Sequence, residues 1–398
     1  MALKFKPLNI NTEPWKPTET IEITENGIYD VTNCINANVN VSGDEEETIP
    51  SIKDLISFKG SCQYLFYGLG SKVDGTAHTH VESKDLSDLI NYNDTENITN
   101  FYGMFYYSTL KNIPIMNMED ANNLNYMFYD SKIEEIDFNR LNFSKATNLG
   151  DMFNKCIGNS LQTSLDIEVS DECKSAYQMF FRSDIKNLFK FKLTGKNIYN
   201  FNSMLSTYNT GPYIEELEIN TSVKDDNLNL SGMSNNKYLK KITINLTNVD
   251  EHEYRSVNLN TVFYGSINLI EVNLNLNKYY IINGSTSSAF NNCKSLEILN
   301  IKNIKSSLQI GSGTTYGHLL TLDSLLNTIQ ECINAGSALT LTIGTANIEK
   351  LANVYVRLTN EAEEDESNPK LPMEVCESTD EGAMTITEYM TLKNWSIA

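Results

Sequence analysis

The chain's only histidine pair, His78-Thr79-His80, lies in a long polar stretch, residues 70–98. An H-x-H pair can form one edge of a metal site, because imidazole nitrogen is a good ligand for zinc-like ions. One chain offers too few ligands here, although a symmetric trimer could bring three copies together. An ordinary surface loop is the favoured interpretation, and no metal site is predicted.

Two acidic pairs are the other groups whose spacing suggests chemistry. Glu134-Glu135 and Glu215-Glu216 each fall on the outward side of a predicted strand, where a solvated face is favoured over a general acid–base couple. The sequence contains no phosphate-binding glycine loop, no H-E-x-x-H and no nucleophile elbow. We therefore expect no catalytic residue, no cofactor and no enzymatic activity.

Seven cysteines are scattered along the chain without a C-x-x-C pair. Cys156 and Cys293 occupy the same position in a repeated apolar phrase. An odd number at such spacing favours buried free thiols over a disulfide framework or a zinc site. Free thiols suit assembly in a reducing cytoplasm.

The repeated phrase, an apolar pair beside a turn, organises the chain from Ser61 to Asn303. Between Phe105 and Leu205 it returns at steps of 23, 25, 27 and 25 residues. A period in the mid-twenties is typical of a solenoid, whose coils bury their apolar faces by stacking on one another. The pairs are therefore interpreted as a hydrophobic spine and not as a cofactor site. The copies are Leu65-Phe66, Met104-Phe105, Met127-Phe128, Met152-Phe153, Met179-Phe180, Met204-Leu205, Gly232-Met233, Val262-Phe263 and Ala289-Phe290.

Short alternating runs of the form L-x-x-I-x-I follow most copies of the phrase. Such a run is typical of a leucine-rich-repeat strand, with apolar side chains inward and polar ones outward. The runs begin at Ile133, Leu165, Leu188, Ile214, Leu239, Leu269 and Leu296. We predict an α/β repeat, a leucine-rich-repeat solenoid over residues 49–303.

The third and fourth copies carry a family resemblance. Residues 123–128 and 147–156 resemble the BspA-type leucine-rich repeat, whose usual phrase is close to S-x-V-T-N-M-x-x-M-F-x-x-C-x-x-L. The resemblance covers residues 60–303 and is degenerate over residues 206–256. It implies a BspA-like solenoid of the kind found in bacterial surface adhesins and in phage-encoded proteins.

The composition is strongly acidic, with a formal net charge of −20 and a pI of about 4.6. This charge argues against binding to nucleic-acid phosphates and to anionic lipid surfaces. No apolar run is long enough to span a bilayer, and the N-terminus lacks the apolar core of a secretory signal. We expect a soluble protein that its own sequence does not export, with no nucleic-acid partner and no membrane insertion.

The N-terminal residues 1–18 are rich in proline and have no helical period. Pro14 and Pro17 flank Trp15, so the segment is interpreted either as a disordered tail or as an extended anchor with Trp15 as the buried contact. In the anchor interpretation it orders on another protein.

Residues 19–48 are predicted to form a small β-module followed by an acidic linker. Residues 20–24, 28–31 and 38–41 alternate as strands do, and Asn26-Gly27 predicts a hairpin between the first two. The sequence ITENGIYDVT…NVNV resembles a small β-module common in tailed-phage virion proteins.

The C-terminal residues 304–398 are predicted to form an α/β cap over the last coil. Helical spacing indicates helices over residues 322–333 and 346–358, with a strand at 339–344 between them. The string LDSLLNTI…LTLTIGTANIEKL…LKNWSIA resembles the cap that follows BspA-type repeats in phage-encoded proteins, where L-T-L-G-x-x-N-x-x-K-L and a final K-G-W-x-x are usual. An insertion at 361–382 departs from that pattern.

The outward strand residues are the candidate binding face, and a merely solvated face is the alternative. The residues are Glu216, Glu218, Lys241, Thr243, Asn245, Glu271 and Asn273.

Together these features predict a bacteriophage virion structural protein, a head- or tail-attached fibre or decoration protein. Its N-terminus would bind other virion proteins, and its solenoid would project to bind host-surface glycans or proteins. It would be assembled in the cytoplasm of the bacterial host and reside in the virion. A fibre role is compatible with a homotrimer, although no heptads demand one. The alternative is a bacterial cell-surface leucine-rich-repeat adhesin.

Overall fold

The structure is a computed structural model of the chain. It describes residues 3–7, 21–23, 27–30, 34–36, 56–74, 77–86, 90, 92–207, 211–223, 227–246, 255–277, 280–282, 286, 288–313, 315–334, 337–359 and 371–398. The chain forms two compact units. Unit 1 is Met1–Gly195 with Asn209–Tyr213, and unit 2 is Lys196–Tyr208 with Ile214–Ala398. Stacked short strands build a repeat β-solenoid with few helices in the described residues.

The described residues of unit 1 form short strands and two 3₁₀ helices. β8, β9, β10 and β12 form a parallel sheet in the order β12-β10-β9-β8, and β11 pairs in parallel with β13. The 3₁₀ helices are Tyr92–Thr95 and Phe138–Arg140. The strands are β1 Leu3–Pro7, β2 Ile21–Ile23, β3 Gly27–Asp30, β4 Cys34–Asn36, β5 Ile56–Lys59, β6 Ser71–Asp74, β7 Ala77–His80, β8 Thr109–Asn112, β9 Lys132–Ile136, β10 Ile157–Ser160, β11 Ser164–Glu168, β12 Asp184–Lys186 and β13 Lys190–Lys196.

The N-terminal strands pair differently from the predicted Asn-Gly hairpin. β1 lies inside the predicted anchor segment 1–18 and pairs antiparallel with both β2 and β4. β3 pairs in parallel with β5 instead of turning back on β2, so the hairpin prediction is wrong. The run LKFKP alternates apolar and basic residues, as the sequence of a strand does. It forms β1, and β1 therefore pairs with β2 in the place predicted for β3. Trp15, Pro14 and Pro17, the predicted anchoring residues, lie outside the described residues.

A column of stacked phenylalanine rings forms the core of unit 1. Consecutive ring centroids lie 5.3 to 5.6 Å apart, and the ring planes are within 9° of parallel. The backbone N–H of Phe128 donates to the Met152 carbonyl at 2.9 Å, and the N–H of Phe153 donates to Met179 at 2.8 Å. The predicted spine is therefore confirmed in this unit. The rings are those of Phe66, Phe105, Phe128, Phe153 and Phe180, all fully buried.

Each coil of unit 1 turns at the spine through left-handed residues spaced four apart. Tyr126 and Asp130 have φ of 57° and 51°, and Asp151 and Lys155 both have φ of 56°. An α-helix cannot pass through residues in this conformation. The α/β repeat prediction is therefore wrong, since the described α-helices begin only at Leu322 and the coils are β-solenoid.

The coils of unit 2 also contain parallel strands. Within it β14, β16, β18 and β20 pair in parallel and in that order, and β15, β17 and β19 form a second parallel sheet. The remaining strands form two smaller sheets in the order β21-β22-β26 and β24-β23-β25. The elements are β14 Glu216–Ser222, β15 Leu228–Asn229, β16 Lys241–Leu246, β17 Arg255–Asn258, β18 Glu271–Asn275, β19 Tyr280–Ile282, β20 Ile298–Asn300, β21 Leu308–Gln309, α1 Leu322–Gln330, β22 Leu339–Thr342, α2 Thr345–Leu351, β23 Tyr355–Leu358, β24 Met373–Cys376, β25 Met384–Thr385, α3 Ile386–Leu392 and β26 Trp395–Ile397.

The L-x-x-I-x-I runs all contain strands, but one run lies in a different sheet. The run that begins at Ile133 forms β9, which pairs with β8 and β10 in the four-stranded sheet. It begins five residues after Phe128, whereas the run at Leu165 begins twelve residues after Phe153 and forms β11. The strands of the two sheets start at different distances from the spine, since β9 begins four residues after Phe128 whereas β18 and β20 begin eight residues after Phe263 and Phe290.

The C-terminal region contains helices and strands, with one correction to the prediction. The predicted helix over residues 346–358 ends at Leu351 as α2, and Tyr355–Leu358 is the strand β23. β23 pairs antiparallel with β24 and with β25, and β24 comes from the predicted insertion. Leu351, Tyr355 and Leu358 fit a helical period, whereas Val354, Val356 and Leu358 fit an alternating one, which explains the error.

Helix α1 packs against the last strand of the unit 2 sheet, β20. The backbone N–H of Leu299 donates to the Ser324 hydroxyl at 3.1 Å, and that hydroxyl donates to the Glu297 carbonyl at 3.3 Å. Backbone groups of the edge strand thus find partners on the helix, as a cap requires. Among the described residues, no helix has the length and apolar character needed to cross a bilayer.

Candidate binding surfaces

The predicted binding face is assembled on the sheet of unit 2. Alternation along β14, β16 and β18 turns the apolar side chains inward, and the parallel register aligns the outward ones. The rows are Glu216–Lys241–Glu271, Glu218–Thr243–Asn273 and Asn220–Asn245–Asn275, which include every residue predicted for this face. We call these three rows the sheet face.

Side chains of the sheet face hydrogen-bond chiefly to one another. The Asn245 amide donates to Asn220 at 2.7 Å and accepts from Asn275 at 2.6 Å. Lys241 and Glu271 form an ion pair at 2.8 Å. Hydrogen bonding in that pair raises the pKa of Lys241 and lowers the pKa of Glu271. The ladder stabilises the stack and leaves fewer groups for a partner.

A cluster of half-buried tyrosines covers the turns of the first coils in unit 1. Tyr106 stacks on Tyr67 at 5.6 Å and on Tyr129 at 4.6 Å between ring centroids. A second line runs from Tyr64 through Tyr102 to Tyr126, with both spacings 5.4 Å. We call the whole cluster the tyrosine face: Tyr64, Tyr67, Tyr102, Tyr106, Tyr107, Tyr126 and Tyr129.

The tyrosine face follows from the sequence around the spine. In Tyr126-Met127-Phe128-Tyr129 the central pair is fully buried and the flanking tyrosines turn outward. Backbone hydrogen bonds between coils hold these turns in register, for example Tyr64 N–H to Tyr102 O at 3.0 Å. The tyrosines that flank successive apolar pairs in the sequence were therefore the signal that could have identified the residues of this face.

Burial keeps two hydroxyls of the tyrosine face, those of Tyr67 and Tyr106, protonated at neutral pH. Burial, followed by the neighbouring Tyr107, raises the pKa of Tyr67 to about 12. Burial and the adjacent tyrosines raise the pKa of Tyr106 further above its ordinary value. The face therefore offers aromatic surface together with hydroxyls that can donate and accept hydrogen bonds, the combination that is enriched at recognition surfaces.

His78 and His80 lie at the edge of the tyrosine face, on strand β7. The His78 ring stacks on Tyr107 at 4.1 Å, and its Nε2 lies 3.5 Å from Asp130 Oδ1. Nδ1 of His80 is within 2.7 Å of the Thr109 hydroxyl. Burial and the neighbouring His78 lower the pKa of His80. The H-x-H pair is thus part of a packed cluster rather than an isolated surface loop.

An open groove of about 740 Å³ lies elsewhere in unit 1. Ile115, which is 56% exposed, and Tyr92 form part of its apolar lining. Arg140 lies across it, held by Asp137 at 3.3 Å and by the Ile113 carbonyl at 2.6 Å. The Arg140 guanidinium is thus engaged within the fold.

The acidic and cysteine side chains considered for catalysis form an ion pair or a hydrogen bond, or are buried. Glu215 forms an ion pair with Lys240 at 2.9 Å, and Glu134 accepts a hydrogen bond from Ser83. Cys156 and Cys293 are free and buried, as predicted, and burial raises the pKa of each thiol to about 12. Such thiols are protonated and poorly reactive at neutral pH.

Comparison with known proteins identifies a family for one part of the chain. Residues 70–167 match the family described as "Mycoplasma protein of unknown function, DUF285". No curated protein and no solved structure gives a significant match. The matched segment runs from β6 into β11 and contains most of the tyrosine face and the histidine cluster. The match covers residues 70–167 alone, and it agrees with the repeat β-solenoid and with the resemblance to BspA-type repeats.

Proposed function

We propose that this chain is a non-enzymatic display protein whose solenoid binds glycans or proteins of a bacterial host surface through the tyrosine face. The observation that carries the proposal is the two lines of half-buried tyrosines on adjoining coils, one with stacked rings and one with edge-to-face and tilted rings. Aromatic rings bind the apolar faces of sugars and fill protein interfaces at small conformational cost. Rigid stacked coils hold the rings in place before a partner arrives, which favours affinity.

The setting we favour is a tailed-phage virion, with the chain as a head- or tail-attached fibre or decoration protein. Support comes from the sequences flanking the repeats, ITENGIYDVT and LKNWSIA, which resemble phage modules. In this setting the N-terminal residues 1–48 bind capsid or tail proteins, with Trp15, Pro14 and Pro17 as the anchor. A bacterial adhesin would use the same solenoid face, and the family match to a Mycoplasma family agrees with that alternative.

The proposal is tested by binding of the purified full chain to intact host cells or to their extracted envelope glycans. In one variant Tyr67, Tyr106 and Tyr129 become serine, which removes the stacked rings from half-buried positions. A matched variant changes Thr243→Ala and Glu218→Gln on the sheet face. We expect the tyrosine variant to lose at least about tenfold in affinity, or roughly 1.4 kcal/mol, and the sheet-face variant to bind as the wild type does.

A conservative variant separates binding from folding. Tyr67→Phe, Tyr106→Phe and Tyr129→Phe keep the stack and remove only hydroxyls, so this variant should fold and should bind with intermediate affinity. Equal binding by wild type, serine variant and phenylalanine variant would contradict the role of the tyrosine face. Loss of binding in the sheet-face variant alone would place the site on unit 2 instead.

A further inference from the structure

The cluster of His78, His80 and Asp130 joins elements that are distant in the sequence. One ligand atom from each of the three side chains lies within 4.8 Å of the other two. The histidines project from β7 on the same side of the strand, because they are two residues apart. Asp130 comes from the turn of a later coil, where it has φ of 51°. From these positions we propose that His78, His80 and Asp130 bind one divalent transition-metal ion of the Zn²⁺ class.

Distances in the cluster are close to those of a metal site. Zinc bound to nitrogen and oxygen at about 2.0 to 2.2 Å in a tetrahedron holds its ligand atoms about 3.4 Å apart. His78 Nε2 and Asp130 Oδ1 are already 3.5 Å apart. The three ligand atoms lie within 4.8 Å of one another, so closure of the site to this spacing requires a side-chain rotation of the third ligand. Side chains of His78 and Asp130 are 13% and 17% exposed, so an ion has a path from solvent.

Neighbouring side chains fix the orientation of both histidine rings. Nδ1 of His80 lies 2.7 Å from Thr109 Oγ1 and 3.3 Å from Ser71 Oγ, and the two hydroxyls are 2.8 Å apart. With Nδ1 engaged by hydroxyls, Nε2 is the nitrogen left for a metal, the usual role of a second layer of partners. Stacking of His78 on Tyr107, with 21° between the planes, restrains the other ring.

Strands β6 and β7 form the hairpin that carries His78 and His80. At Gly70 the backbone at the base of this hairpin lies close to β8. This residue has φ of 73°, and a Cβ added to it would lie 2.3 Å from the Glu82 carbonyl oxygen and 2.6 Å from that of Thr109. Glycine is therefore required where the hairpin leaves the coil. The same close approach sets His80 beside Thr109.

The donor set selects the class of ion. Two imidazoles and one carboxylate suit Zn²⁺, Co²⁺ or Ni²⁺, whereas Mg²⁺ and Ca²⁺ prefer oxygen ligands throughout. Three protein ligands leave one tetrahedral position for water. Lys155 is the competing cation, because its Nζ lies 3.6 Å from Asp130 Oδ2. It is also held over the Tyr129 ring at 5.3 Å, so it has another partner when a metal takes Asp130.

The test is Zn²⁺ binding to the full chain by calorimetry, after chelator treatment and in excess Mg²⁺ to occupy surface carboxylates. Cys34 and Cys376 are changed to serine in every sample to exclude thiol binding. We expect one Zn²⁺ per chain, and a higher melting temperature in its presence. Co²⁺ at the same site should give the visible absorption of a four-coordinate ion.

Two variants remove a ligand with little disturbance to packing. His78→Phe keeps a ring on Tyr107, and Asp130→Asn keeps a residue that accepts positive φ. Each should weaken Zn²⁺ binding at least about tenfold and abolish the Co²⁺ spectrum. His318→Gln, in unit 2, is the matched control and should bind as the wild type does. Lys155→Met should bind at least as tightly.

Two results would overturn the proposal. One is the absence of Zn²⁺ binding by a folded wild-type chain. The other is unchanged Zn²⁺ affinity in both ligand variants, because that would place any bound ion elsewhere.

Discussion

At the scale of single residues, the repeated Met-Phe pair sets the coil spacing of unit 1. Every phenylalanine of the column is fully buried and stacks on the next at 5.3 to 5.6 Å. Phe128 has a stacked neighbour on both faces, Phe105 and Phe153. Its removal leaves a cavity that the flanking coils cannot close without breaking their backbone hydrogen bonds.

We expect Phe128→Ala to lower the free energy of unfolding of unit 1 by about 3 to 5 kcal/mol. Phe128→Leu, which fills more of the space, should cost less. Urea denaturation followed by far-ultraviolet circular dichroism measures both. Ile115→Ala is the control, since Ile115 is 56% exposed and should change the stability by less than about 0.5 kcal/mol. Equal stabilities for Phe128→Ala and the control would contradict a packed spine.

Lys393 and Trp395, near the end of the chain, stabilise unit 2 through hydrogen bonds. The Lys393 ammonium donates to the carbonyl of Gln330 at 2.8 Å and of Ile329 at 3.3 Å, at the end of α1. The Trp395 indole donates to Ile333 O at 2.8 Å. Asn394 has φ of 60°. Asparagine adopts this conformation more readily than most residues.

At the scale of elements, the sheet face combines an ion pair with asparagine ladders. Glu271 accepts from Lys241 at 2.8 Å and from Asn273 at 2.7 Å. These hydrogen bonds lower the pKa of Glu271 in the folded state. A carboxylate whose pKa is depressed by folding stabilises the protein above its unfolded pKa, and the contribution is lost as the pH falls through the folded pKa.

We therefore expect Glu271→Gln to reduce stability at pH 7 by less than about 1 kcal/mol, since the pair is partly exposed. The difference from wild type should vanish as the pH falls from about 5 to 3. Thermal melts of both chains across this range give the difference directly. A difference in stability that stays constant with pH would show that the charge of Glu271 does not contribute to that difference. Thr243→Val on the same face serves as a charge-neutral control.

Strand positions on the main sheet could be predicted, because long alternating runs specify a buried side. Shorter strands such as β10, β12 and β15 were missed. They contain two to four residues and are held by backbone pairing between coils rather than by a pattern of their own. Asp130 could not be joined to His78 from the sequence either, because only the register of the coils brings together residues so far apart.

At the scale of the whole molecule, the formal charge of −20 argues against nucleic acid as a partner and agrees with a protein displayed in solution. Both compact units consist of stacked coils, and the tyrosine face belongs to unit 1 whereas the sheet face belongs to unit 2. Stacked coils present extended surfaces, and solenoid proteins bind their partners through such surfaces.

The most direct test of surface display is mass spectrometry of purified phage particles, washed cell envelopes and the soluble cytosol from the source. We expect the chain in the particles, and we expect a chain lacking residues 1–48 to be absent from them. Its presence on envelopes and not in particles would favour the adhesin. Recovery from the soluble cytosol alone would contradict display at any surface.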